Sequence, residues 1–202
     1  MKTKPLKERA MINIPYRWFF TKSEKLVVGG KSSTQNDELL RKLKESGKEY
    51  IVMHTKAPGS PFVVIRAPPE EIFKEDLEEA AAFTGCFSRA WKQGENEAKV
   101  DIFTLSQLYK TKNMKTGTWG IKGKVETVSV HLELFLTKQK NKLRAVPEKT
   151  IKNEKEILLK IKPGKNDKID MVAKFQMELK DKFTQEELLS ALPAGGVTIV
   201  RK

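Results

Sequence analysis

EYIVMHTKAPGSPFVVIRA, residues 49–67, holds two apolar runs on either side of a Pro58-Gly59-Ser60-Pro61 turn. Each run is short and rich in Val, Ile and aromatics, so both read as buried β-strands. Upstream, YRWFFTKSEKLVVGG (16–30) places two aromatic and β-branched runs around Lys22-Ser23-Glu24 and closes on Gly29-Gly30, the pattern of a β-hairpin. Between them, STQNDELLRKLKESG (33–47) reads as a helix. Leu39, Leu40 and Leu43 share a face, Thr34 with Asp37 three residues on supplies an N-cap, and Gly47 ends it.

Downstream, PPEEIFKEDLEEAAAFTGCFSRAWK (68–92) predicts one long helix, with Phe73, Leu77, Ala80, Thr84, Phe87 and Trp91 on a stripe and acids in the first turns. Cys86 reads as a small core residue. AKVDIFTL (98–105) is a strand. VETVSVHLELFL (125–136) alternates strictly and predicts one long half-buried strand: Val128, Val130, Leu132, Leu134 and Leu136 face the core, and His131 lies on the polar face. The remainder predicts a basic connector, a helix over 167–182 with Ile169, Val172, Ala173, Gln176 and Leu179 on one stripe, a Thr184–Glu187 capping box and a closing strand. The fold class is α+β: a mixed, largely antiparallel sheet flanked by helices, in a single compact domain with a C-terminal α/β extension. Residues 1–12 read as a basic N-terminal arm, 13–140 as the main domain, and 141–202 as its extension or a small second lobe.

The 202 residues carry 39 Lys plus Arg against 26 acids, a net charge of +13. Such an excess favours polyanionic partners: RNA, DNA or an anionic membrane surface. No apolar run approaches the ~20 residues that span a bilayer. A single Cys excludes an internal disulfide and fits a reducing cytoplasm. The charge is unevenly spread: residues 70–79 hold six acids and one Lys, residues 110–124 five Lys and no acid.

Enzyme chemistry finds little to build on. Two His and one Cys, with no metal-ligand spacing, assemble no zinc site. The glycines at 117, 120 and 123 lack the strand–turn–helix context of a dinucleotide loop, and Ser60 with His54 lacks an orienting third group. The reading is a non-enzyme without metal or cofactor. In KTKNMKTGTWGIKGK (110–124), by contrast, Lys110, Lys112, Lys115, Lys122 and Lys124 can neutralise phosphates, glycines admit a backbone closely, and Trp119 either stacks on an unpaired base or buttresses the loop. Lys31 and Lys56 extend the basic surface.

The ordered pieces RWFFTKSEKLVVGG, QNDELL, HTKAPGSPFVVIR, EEAAAFTGCFSRAW and KTKNMKTGTWGIKGK, spread over about residues 16–125, resemble the NFACT-R domain, the RNA-binding module of the NFACT proteins of ribosome-associated quality control. The tail, from KIKPGKND to LPAGGVTIV, is more loosely similar to the segment C-terminal to this domain in archaeal members. The resemblance implies a cytoplasmic RNA-binding module whose ligand is rRNA or tRNA, on the large ribosomal subunit. His54 matches the family's His, and Gly59 and Ser60 its turn; this chain has Pro61 where the family commonly has a second His. The resemblance leaves His54 either as a contact to phosphate or ribose, alongside Lys56, or as a group tying down the turn through a backbone carbonyl. The family's large N-terminal domain, helix-hairpin-helix segment and coiled-coil arms have no counterpart here, so the expectation is a stand-alone module without tail elongation. Two alternatives stand beside it: a sequence-independent DNA binder, and a protein–protein adaptor docking its basic loop on an acidic ribosomal or quality-control partner, with segment 70–79 as a second contact. The oligomeric state is not indicated.

Overall fold

The computed structural model describes residues 14–200, so the basic arm expected over 1–12 lies outside the described residues. The hairpin forms as read, with β1 (Arg17–Phe20) paired antiparallel to β2 (Leu26–Gly29). Helix α1 (Ser33–Glu45) follows, then β3 (Ile51–Thr55) and β4 (Val63–Ile65) around the Pro-Gly-Ser-Pro turn. After α2 (Lys74–Cys86) and the single turn α3 (Arg89–Lys92) come β5 (Glu97–Thr104) and a small ribbon, β6 (Leu108–Tyr109) with β7 (Gly120–Ile121). Strand β8 (Glu126–His131) completes a six-stranded sheet of order β1-β2-β4-β3-β5-β8. A second sheet has the order β10-β9-β11-β12, from β9 (Leu134–Gln139), β10 (Lys142–Val146), β11 (Leu159–Asp167) and β12 (Gly196–Val200). Helices α4 (Val172–Glu178) and α5 (Gln185–Ala191) lie between β11 and β12 in the chain. The fold is α+β, and every strand pairing described is antiparallel.

Strands β1 to β4 are buried on both faces, which is why they read as continuous apolar runs, whereas β5 and β8 expose alternate residues. Trp18, Val28, Val52, Val64 and Phe103 pack with Leu39, Leu40 and Leu43 of α1. Their neighbours Phe19, Val27, Met53, Val63 and Val100 pack with Ala80, Ala81 and Phe83 of α2 on the other side. Burying each of those α1 leucines contributes about 1.5–3 kcal/mol relative to exposure. The second sheet builds its own core: Leu134, Leu136, Leu143 and Ile161 meet Phe175 of α4 and Leu188 of α5. Cys86 and Trp91, from the N-terminal part of the chain, belong to this same core. The Trp91 indole N–H donates to the Gly196 carbonyl at 2.9 Å. A second clasp joins the sheets: the Gln139 amide accepts from Phe20 N–H and donates to the Phe20 carbonyl, both at 2.8 Å.

Four local expectations are corrected. The long strand over 125–136 is two strands, because β8 pairs with β5 whereas β9 pairs with β10 and β11. The change of partner falls at Leu132–Glu133, where Leu132 N–H bonds the Asn96 carbonyl. The long helix over 68–92 is three pieces. A 3₁₀ turn over Pro69–Glu71 precedes α2, whose start is set by Asp76 accepting from Phe73 N–H at 2.9 Å, and Ser88 caps α3 through Ala90 N–H. Phe73 is therefore exposed rather than on the core stripe. The helix at 167–182 shortens to α4, and its buried stripe is Met171, Val172, Phe175 and Leu179, with Ile169 outside. The α1 cap is Ser32, which accepts from Gln35 N–H, not Thr34 with Asp37. The Thr184–Glu187 capping box is present as read.

Two of the four acids of α2, Asp76 and Glu79, are turned inward. Ser23 Oγ donates to Asp76 at 2.6 Å, and buried Glu79 accepts from Lys22 N–H and from Thr150 Oγ at 2.7 Å. Burial pushes the Glu79 carboxyl above its ordinary range, although those donors oppose the rise.

Because Trp91 fills the core of the second sheet from the first half of the chain, Trp91→Ala is expected to cost about 3–5 kcal/mol in urea unfolding. In the parent chain, far-UV dichroism and Trp fluorescence should trace one coincident transition. Two separated transitions would make residues 141–202 an independent lobe.

Candidate functional site

The geometry of the basic segment depends on Asp37. This residue shares the apolar side of α1 with Leu40 and is 4% exposed. Its carboxylate accepts from Lys110 Nζ at 2.9 Å on both oxygens, from Gly117 N–H at 3.0 Å and from the Trp119 indole N–H at 2.8 Å. Burial alone would raise its pKa; the Lys110, Trp119 and Gly117 bonds outweigh that and hold it below the ordinary value. Lys110 also donates to the Lys115 and Thr118 carbonyls at 3.1 Å, and its ammonium sits 5.4 Å from the Trp119 ring centroid. Gly117 has φ +78°, and a Cβ there would fall 2.5 Å from that of Ser33. Only glycine lets the loop lie against the first turn of α1.

The loop closes one side of a cleft of about 650 Å³. Gly30, Lys31 and Ser33 line it from the hairpin end and α1, and His54, Lys56, Gly59 and Ser60 from the β3–β4 turn. Thr116–Trp119 and Arg89 line it as well. The turn is held internally: Ser60 Oγ accepts from Thr55 N–H at 2.9 Å and donates to the Pro61 carbonyl, while Arg89 N–H bonds the Gly59 carbonyl at 2.7 Å. Gly59 has φ +103°, and a Cβ there would meet the Arg89 side chain at 2.9 Å. His54 packs on Phe62 at 4.6 Å between centroids, and its Nδ1 lies 2.7 Å from the Thr55 carbonyl. A carbonyl only accepts, so Nδ1 carries the proton. Burial lowers the His54 pKa, against smaller raising effects from the Thr55 carbonyl and Asp101, so the ring is neutral at pH 7.

The α1 amides of Ser33 and Thr34, in the first turn, have no intrahelical acceptor, and no acid lies in that turn. Apart from the Ser32 cap on Gln35 N–H, the positive end of a 13-residue helix therefore meets the cleft with no acid beside it in the first turn.

Of the residues singled out in the sequence, Lys31, His54, Lys56, Gly59, Ser60 and Trp119 line this one cleft. Lys112, Lys115, Lys122 and Lys124 are exposed on the neighbouring loop, and Lys122 lies 5.1 Å from the Tyr109 ring centroid. Lys110 is different: its ammonium is occupied by Asp37 and two carbonyls, so it organises the loop instead of offering a free charge. Trp119, with its N–H on Asp37 and its ring against the α1 core, buttresses that loop. Sequence reasoning missed Asp37 as an anchor, Arg89 as a cleft residue, and Asn36, whose Oδ1 accepts from Phe62 N–H at 3.2 Å. The available signal was two polar residues, Asn36 and Asp37, among leucines on the buried side of a helix, since buried polar groups need partners.

The site is a cation-lined cleft at a helix N-terminus of an α+β domain, walled by a glycine-rich basic loop. The family model of the NFACT protein RNA binding domain matches residues 15–123, and the chain belongs to that family. It is 29% identical over 212 residues to the archaeal Rqc2 homolog aRqcH of Methanocaldococcus jannaschii, an alignment covering all of this chain and 31% of that protein. It is 30% identical over 132 residues to the ribosome quality control complex subunit NEMF homolog of Drosophila melanogaster, covering 60% of this chain and 13% of the relative. The chain thus spans a third or less of these relatives. Among solved structures it resembles the C-terminal part of the fibronectin/fibrinogen-binding protein of Streptococcus suis, with TM-score 0.51, 26% identity, and coverage of 65% of this chain and 51% of that one.

Asp37→Asn keeps the shape but weakens three charge-assisted bonds, and is expected to cost about 2–3 kcal/mol in chemical denaturation. Because the folded pKa of Asp37 lies below its ordinary 3.8, its contribution is present above that value and lost as pH falls through the lower folded value. Acid unfolding of Asp37→Asn should accordingly be shallower in that window than that of the parent. Gly117→Ala, which forces both a clash and a left-handed backbone, should raise amide exchange across 110–124 while leaving the first-sheet amides protected.

Proposed function

We propose that this chain is a non-catalytic binding module for structured RNA, working in ribosome-associated quality control or translation in the cytoplasm, with rRNA or tRNA as ligand and the large ribosomal subunit as its setting. The observation that carries the reading is the convergence of Lys31, Lys56 and Arg89 with the acid-free N-terminus of α1 on one cleft. Family membership supports RNA as the anion, and the relatives' names, a ribosome quality control subunit among them, support the setting.

Lys31, Lys56 and Arg89 neutralise phosphates, and the exposed Lys112, Lys115, Lys122 and Lys124 extend the track along the loop. Lysine is a point charge, so recognition is of backbone and shape more than of base identity. His54 adds a sugar-level preference. With Nδ1–H given to Thr55, the neutral ring offers only the Nε2 lone pair, which accepts from a ribose 2′-hydroxyl but cannot donate to a phosphate oxygen.

Fluorescence anisotropy with tRNA and an rRNA fragment across a salt series tests this. Changing Lys31, Lys56 and Arg89 together to Ala should flatten the salt slope by about two to three units. Duplex DNA should compete less well than folded RNA, and His54→Phe should narrow that gap. Equal competition would return the protein to sequence-independent DNA binding. Partner capture that survives nuclease treatment, with no RNA binding, would make it a protein adaptor.

A further inference from the structure

Lys31 also lines a second cavity of about 310 Å³, between β1 of the first sheet and β10 of the second. Arg17 enters from β1, Lys142 and Arg144 from β10, so four cations share one small space. The carboxylate in its lining is Glu186, exposed on α5. None of the four cations is ion-paired among the described residues.

The two guanidinium groups are half-buried and held by ring faces. Arg17 Cζ lies 4.8 Å from the Phe87 centroid and Arg144 Cζ 4.4 Å from the Trp18 centroid. Stacking fixes the plane of a guanidinium while leaving its N–H edge for a planar or tetrahedral oxyanion. Arg144 Nε is buried without a hydrogen-bond partner among the described residues. Burial lowers the pKa of both arginines, and that of Lys31 is lowered by burial and then by Arg17, Arg144 and Lys142. A cluster of partly desolvated like charges is unfavourable for the fold alone, and an anion seated among them removes the penalty.

We propose that this cavity is a phosphate-binding site, separate from the α1 cleft and joined to it through Lys31, and that it holds a phosphate group of the same RNA strand. The second half rests on the RNA-binding reading; the first does not. Arginine forks then grip one phosphate bidentately while Lys31 is shared between this site and the next.

Two arms separate the claims. In the first, inorganic phosphate is titrated at constant ionic strength while the arginine Nε–Hε resonances are followed by NMR. Those of Arg17 and Arg144 should shift and saturate, and Arg144→Met, which keeps the packing volume over Trp18, should abolish saturation at Arg17. Linear, unsaturating shifts would overturn the site. In the second arm, Arg17→Met with Arg144→Met should weaken RNA binding about tenfold or more. The same pair should reduce the salt slope by roughly 0.7–0.9 for the single phosphate lost. If that double variant fails to fold, Lys142→Gln serves and should lower the slope in the same direction. Unchanged RNA affinity and slope would overturn the shared-strand claim and leave the RNA-binding function standing. Saturable phosphate binding in a protein that ignores RNA would defeat the function proposed above and support the site as one for free phosphate or a phosphorylated small molecule.

Discussion

A carboxylate on the apolar side of a helix has to find donors or lose its charge, and Asp37 finds three in a segment 73 to 82 residues further along the chain. That one requirement decides where the lysine-rich loop lies. Lys110 neutralises the acid, Gly117 brings the backbone against Ser33, and Trp119 covers the junction. The loop would otherwise be a run of like charges repelling itself into solvent. Pinned to α1, it becomes the wall of a cleft whose floor is a helix N-terminus and whose far side is the β3–β4 turn.

The first sheet explains why that wall can be held so firmly. With α1 on one face and α2 on the other, strands β1 to β4 have no solvated side, and the hairpin, the helix starts and the turn are all set by the same packing. Gly30 shows the tightness: a Cβ there would sit 2.2 Å from Asn36 Oδ1, the atom that receives Phe62 N–H. The acids that look like a solvent-facing patch in 70–79 partly serve this frame, with Asp76 and Glu79 bonded to the hairpin tip. Glu70, Glu71, Glu75 and Glu78 stay at the surface.

Strands and the hairpin were legible because β-branched runs and turn residues are local signals. The Thr184–Glu187 cap was legible for the same reason. What escaped were events in which distant segments compete. Nothing in the alternation of 125–136 marks Leu132–Glu133, because the apolar–polar pattern of the sequence continues while the hydrogen-bonding partners change from β5 to β10 and β11. The stripe from Phe73 to Trp91 is interrupted at Ser88, and its last member serves the other sheet. Most of the cleft was visible as Lys31, His54, Lys56, Gly59, Ser60 and Trp119, from resemblance and charge. Lys110 could not be told from its neighbours without its partner Asp37. Arg17 and Arg144, 127 positions apart by their numbers, carry no local motif that would join them.

Only Leu132 and Glu133 separate β8 from β9, and the Gln139 amide locks β9 to β1 at the far end. These two joints, with the Trp91 bond to Gly196, set the interval between the α1 cleft and the Arg17–Arg144 cavity. With both sites holding phosphate as proposed, the protein would work as a gauge: a backbone whose phosphates match that interval would dock without deforming either partner, and one of different curvature would be turned away before any base is read.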